Sequence, residues 1–193
     1  MPEPIKVLAF AGSLRSGSFN KKLVQVAAQI ARKAGAEVTV VDLRDFNMPL
    51  YDGDDEADSG IPEGALRFKQ VISSHDALLI SAPEYNTSIS GVLKNAIDWA
   101  SRKGPGEAPP QSLSGKVAGL LSASPGGLGG VRGLVTVRSI LSNLNLLVIP
   151  EQFALVRSHE AFDESGNLKD PKQMAAVEKV VNRLVEVTTK LKA

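Results

Sequence analysis

The chain has 193 residues, 43% hydrophobic and 22% charged, a length and balance that suit a single compact domain and argue against disorder. A formal net charge of +1 offers no basic stripe for nucleic acid, the lack of cysteine removes disulfides and thiolate chemistry, and two histidines far apart make no zinc site. No apolar run nears the roughly 20 residues that span a bilayer, and the opening MPEPIKV has neither the basic start nor the apolar stretch of a signal peptide, so a cytoplasmic protein with no membrane partner is expected.

In chain order, short runs rich in Val, Ile and Leu alternate with longer segments of helical spacing. Strands are expected at Ile5 to Gly12, Glu37 to Asp42, Asp76 to Pro83, Lys116 to Ser124 and Leu144 to Pro150. The third and fourth are almost wholly apolar, as in parallel strands covered on both faces. Helices are expected near residues 18–34, 63–74, 89–102, 128–143 and 171–191, with Gly35 ending the first. In the last, Met174, Val177, Val181, Leu184 and Leu191 form one apolar stripe. Five strands alternating with five helices predict one doubly wound α/β domain over residues 1–193, a five-stranded parallel sheet in order 2-1-3-4-5 between two helical layers. Ligands of such sheets sit outside the carboxyl ends of the strands. The segments YDGDDEADSGIP and GPGEAPPQSLSG read as irregular loops.

Three polar loops fall at that edge. The first, GSLRSGSFN at residues 12–20, precedes a helix, where free amides and the helix dipole favour an anion. Gly12 and Gly17 have the spacing of a nucleotide-triphosphate loop, but Ser18 and Phe19 stand where lysine and a hydroxyl would follow. Leu14 breaks a dinucleotide fingerprint, although Asp42 could mimic its ribose-binding acid. The hydroxyls and amides of Ser13, Ser16, Ser18 and Asn20, with the Arg15 guanidinium, instead suit a terminal monophosphate; a solvated turn with Ser18 as helix cap is the competing account. The second loop, Glu84 to Ser88, could face the edge of a flat heteroaromatic ring, with Tyr85 as a side wall, or could be an entry turn capped by Ser88. The helix after it adds Val92 and Trp99 to an already apolar stripe, which suggests a second copy against it, unless Trp99 fills the core. The third loop, SASPGGLGGVRG, has four glycines in five residues and allows close backbone approach. His75 and His159 are read as structural.

Taken together, GSLRSGSFN, PEYNTSISGVLKNAIDW and SPGGLGGVR resemble the NADPH-dependent FMN reductase family of flavodoxin-like quinone, chromate and azo reductases, over essentially the whole chain. The resemblance implies a flavodoxin-like fold, FMN as cofactor, NADPH or NADH as co-substrate, a small-molecule electron acceptor, ping-pong turnover and a homodimer or homotetramer. It implies that Ser13, Arg15, Ser18, Phe19 and Asn20 hold the FMN phosphate. Pro83, Glu84, Tyr85, Asn86 and Thr87 would run along the ribityl chain and ring, and Ser124, Gly126 and Gly127 would approach the ring from the other side. No side chain need act as nucleophile or general base, since FMN carries the chemistry, and no metal is implied. A flavodoxin-like electron carrier or a nucleotide-sensing module are the alternatives. Two positions depart from the family pattern: Thr87 stands where glycine is frequent, and Ser90 where proline is frequent.

Overall fold

Each of the five apolar runs enters one sheet. In a computed structural model, which describes residues 3–104, 106 and 112–192, the elements follow as β1 Lys6–Ala11, α1 Phe19–Lys33, β2 Glu37–Val41, α2 Gly53–Ser59, α3 Glu63–Ser73, β3 Ala77–Ser81, β4 Glu84–Tyr85, β5 Ser88–Ile89, α4 Gly91–Ala100, β6 Val117–Ala123, α5 Val131–Asn143, β7 Leu147–Leu155 and α6 Pro171–Lys192. The large sheet is parallel throughout, in order β2-β1-β3-β6-β7, the expected 2-1-3-4-5 topology. Because side chains alternate across a strand, Val7, Ala9 and Leu79 face α1 and α6 and meet Leu23, Ala27, Val177 and Leu184. Leu8, Phe10, Leu78 and Ile80 face the other way, onto Phe68, Leu93, Ile97, Leu134 and Leu141 from α3, α4 and α5. Burying each large side chain of this kind stabilises the fold by about 1.5–3 kcal/mol. Among the described residues no helix is long and apolar enough to cross a membrane.

The differences from expectation are local, and each has a cause. The fifth strand does not stop at Pro150 but runs on to Leu155. Its register against β6 jumps from Ala118↔Val148 to Leu120↔Gln152, so Ile149, Pro150 and Glu151 stand opposite Gly119 alone as a bulge, and a proline without an N–H is tolerated at a sheet edge. Residues 84–89 form a two-stranded antiparallel hairpin instead of a loop. Its turn residues Asn86 and Thr87 have φ of 50° and 64°, the left-handed backbone that two-residue hairpins demand. Helix α4 consequently starts at Gly91, capped by Ser90 rather than Ser88, and α5 starts at Val131. The segment YDGDDEADSGIP contains the short helix α2, which buries nothing and stands on local chemistry: Asp52 Oδ1 accepts from Asp54 N, and three acids occupy the first turn. Of GPGEAPPQSLSG, residues 105 and 107–111 lie outside the described residues.

Trp99 is 1% exposed. Its indole N–H donates to Pro49 O at 2.8 Å and its ring meets Tyr51 edge-on at 5.0 Å. Trp99 therefore fills the core beneath the chain's own 48–51 strap, the competing account of the widened arc, while Val92 on the same helix is half-buried.

Candidate flavin site

The first loop is held at its root and open at its mouth. Gly12 N donates to Ser81 O at 2.9 Å, continuing the β1–β3 ladder. Beyond it Ser13 is buried and its Oγ accepts from Arg15 N at 3.3 Å. Arg44 reaches from the turn after β2 to donate to Leu14 O. Ser18 is the N-cap of α1, yet its side chain makes no capping bond. Its hydroxyl and the first-turn amides of Phe19, Asn20 and Lys21 meet no acceptor among the described residues. That turn contains no acid and two lysines, Lys21 and Lys22. Unspent N–H groups, a free hydroxyl and the positive end of a 15-residue helix favour an anion. Arg15 is exposed, and its guanidinium has no partner among the described residues. Phe19 stacks on Phe162 at 6.4 Å, and both rings pack against the core between the sheet and helices α1 and α6.

Asn20 is turned inward. At 3% exposure, its Nδ2 donates to Ala123 O at 2.9 Å, while its Oδ1 accepts from Ser81 Oγ at 2.9 Å and from Ala123 N at 3.0 Å. One amide thus ties the start of α1 to the carboxyl ends of β3 and β6. Asp42 is also engaged: it pairs with Lys21 and accepts from Arg44 N at 3.0 Å. These two partners outweigh the opposing effect of burial and hold its carboxyl below the usual range.

The second loop is the hairpin of β4 and β5. Pro83 is buried, whereas Tyr85, Asn86 and Thr87 project at the rim, Tyr85 being 51% exposed. Glu84 points instead to the start of α5, accepting from Arg132 N at 3.0 Å, Gly133 N at 3.2 Å and Arg132 Nε at 2.7 Å. Burial would raise this carboxyl, but the Arg132 guanidinium and the amides of Gly133 and Arg132 prevail and keep it low. Gly133 permits this docking, since a Cβ there would lie 3.2 Å from Ser88 O and 3.3 Å from Glu84 Cβ.

The glycines of the third loop divide by use. A Cβ on Gly129 would come within 2.8 Å of the Ala154 backbone, and one on Gly130 within 2.0 Å of Ser122 Oγ, so these two let the loop pack on the strands beneath. Gly127 has open space at that position, and Gly126 meets only Ser124 Oγ at 3.7 Å. The loop is pinned from below, with Ser158 N donating to Ser124 O and Arg157 N to Gly126 O, while Ser124 Oγ accepts from Gly126 N at 3.2 Å.

Ser13, Arg15 and Ser18, the Asn86–Thr87 rim, and Ser124, Gly126 and Gly127 therefore share one edge of the sheet, joined by Asn20 and by the Glu84–Arg132 pair. The donor set suits FMN: an amide-rich helix mouth for a phosphate, an exposed polar turn, and two glycines, Gly126 and Gly127, with open space beside their main chain. Two contributors went unassigned at the level of sequence. Arg132 lies inside the SPGGLGGVR motif, but its partner is 48 residues away. Ser90 bonds across 78 residues to Gly12. The histidines sit elsewhere. His75 bonds to Val71 O and Thr39 Oγ1 near the amino end of β3, and His159 faces Glu160.

Known proteins resemble the chain along most of its length. An NAD(P)H-dependent FMN reductase of Pseudomonas aeruginosa is 39% identical over 185 residues, 95% of each chain. A quinone reductase of Escherichia coli is 36% identical over 172 residues, 88% of each. The flavoenzyme NAD(P)H:(acceptor) oxidoreductase FerB of Paracoccus denitrificans superimposes with a TM-score of 0.81 at 33% identity, covering 96% of this chain and 98% of its own. Together with the match of residues 5–160 to the profile of that family, these similarities show that the chain belongs to the NADPH-dependent FMN reductases.

Proposed function

We propose that the protein is an NAD(P)H-dependent oxidoreductase that passes two electrons from NADPH or NADH through FMN to a quinone or a similar small acceptor, with chromate, azo dyes and free flavin as further candidates. Full-length similarity to an FMN reductase and to a quinone reductase supports the reaction class. The single observation that carries the cofactor reading is the mouth of α1, where the Ser18 hydroxyl and three first-turn amides have no partner among the described residues. Ser13, Arg15, Ser18 and those amides bind the phosphate, and Asn20 acts through position by fixing α1 to β3 and β6. The hairpin from Pro83 to Thr87 lines the ribityl chain and the ring edge, with main-chain donors near Asn86 and Thr87 orienting the ring. Ser124, Gly126 and Gly127 present backbone to its other side.

Hydride acceptance from the nicotinamide and electron delivery to the acceptor are chemistry that FMN supplies when bound. The protein's part is to bind, orient and leave one face of the ring open, so that nicotinamide and acceptor use the same opening in turn. The test is the visible spectrum of the freshly purified protein, followed by steady-state NAD(P)H oxidation with a quinone. A flavin spectrum and parallel double-reciprocal plots are expected. A colourless preparation that does not bind FMN in calorimetry would refute the reading, and a yellow protein without NAD(P)H turnover would point to an electron carrier.

A further inference from the structure

We propose that Ser90 is a positioning residue of the flavin site: its hydroxyl holds the Gly12 carbonyl and thereby aims the first peptide of the phosphate loop, setting the preference for a phosphorylated flavin. The inference rests on the reading that the loop after β1 receives the FMN phosphate.

Ser90 is 6% exposed, and its Oγ donates to Gly12 O at 2.6 Å while accepting from Leu93 N at 3.2 Å. Gly12 is thus gripped from two sides, since its N–H is held by Ser81 O at 2.9 Å. Leu93 closes the third side: a Cβ on Gly12 would fall 2.8 Å from Leu93 Cβ. In a planar trans peptide the C=O and the following N–H point in opposite directions. Fixing the Gly12 carbonyl toward α4 therefore turns the Ser13 N–H away from α4, and that N–H meets no acceptor among the described residues. It stands beside the Ser13 hydroxyl as a donor aimed by a bond made on the opposite side of the peptide. Of the three restraints on Gly12, only the Ser90 bond is a single side-chain atom that can be removed without disturbing the sheet.

The backbone makes a clean test possible. Ser90 has φ −68° and follows Ile89 in β5, so proline fits the position without moving the chain. The full-length protein, freed of flavin, is titrated with FMN and separately with riboflavin, as wild type, Ser90→Pro, Ser90→Ala and Ser90→Thr, with circular dichroism of each. The proline and alanine variants are expected to weaken FMN binding by about five- to tenfold and riboflavin binding by less than about twofold, with threonine restoring the preference. Folded proline and alanine variants that keep the wild-type ratio of FMN to riboflavin affinity would overturn the proposal. So would an equal loss for both ligands, which marks a purely structural role. A wild-type protein that binds riboflavin as tightly as FMN would instead remove the phosphate-loop reading on which the proposal stands.

Discussion

Replacing Asn20 by alanine deletes one side chain and strands three polar groups. Ser81 Oγ, Ala123 N and Ala123 O lose partners at 2.9, 3.0 and 2.9 Å, in a place where Asn20 is 3%, Ser81 0% and Ala123 5% exposed. A buried polar group left unmade costs roughly 1–3 kcal/mol. The Ser81 hydroxyl can rotate to another acceptor and water can enter the space, so a net loss of about 3 kcal/mol is expected. For a domain of this size each kcal/mol moves the melting temperature by roughly 2–4 °C, which puts the expected drop at about 6–12 °C. Thermal unfolding followed by circular dichroism, with and without saturating FMN, measures it. Asn20→Asp should be worse than alanine, because a carboxylate has no donor for Ala123 O and sets oxygen against oxygen in a buried site. The logic fails if the flavin-free alanine variant melts within about 2 °C of wild type. A loss of FMN affinity with flavin-free stability intact would mean that Asn20 touches the phosphate directly.

Three further outcomes are expected. Glu84 has a depressed carboxyl pKa in the folded protein, so its contribution is complete above the ordinary glutamate range and is lost as pH falls through the folded value. Glu84→Gln should cost about 2 kcal/mol at neutral pH and flatten the acid limb of a stability–pH curve measured by urea unfolding; parallel curves for the two proteins would contradict this. Thr87 holds φ 64°, a region that costs a residue with a Cβ roughly 1–2 kcal/mol, so Thr87→Gly should raise stability by about 1 kcal/mol, after allowing for glycine's freer unfolded chain. A lower melting point for that variant would show that the Thr87 hydroxyl bond to Asn86 O outweighs the backbone gain. Arg15→Ala should weaken FMN or NADPH binding about tenfold, more at low ionic strength than at high, and unchanged affinity for both would take Arg15 out of the site.

What was legible in the sequence follows from where the deciding contacts lie. β1, β3 and β6 were readable because burial on both faces writes an unbroken apolar run into the chain itself. The end of β7 was not, since Pro150 is a stop signal in isolation and becomes harmless only at a bulged edge. α2 carries no apolar stripe, and the hairpin turn uses Asn86 and Thr87 where glycine would have announced it. For the site, the order of the three loops and their polarity were visible, but not the direction in which each polar group points. Ser13, Ser18 and Asn20 look alike as loop residues. Their roles separate only when Ala123 arrives from 103 residues away to engage the Asn20 amide, while the Ser18 hydroxyl meets no partner among the described residues. Glu84 reads as a ligand-loop residue for the same reason, yet it spends its side chain on joining one loop to another, as does Ser90, to which the sequence assigned no role. A binding motif of this kind therefore mixes two populations, groups that hold the cup together and groups left free to fill it. Spacing along the chain identifies the mixture, and only the long-range hydrogen bonds sort it.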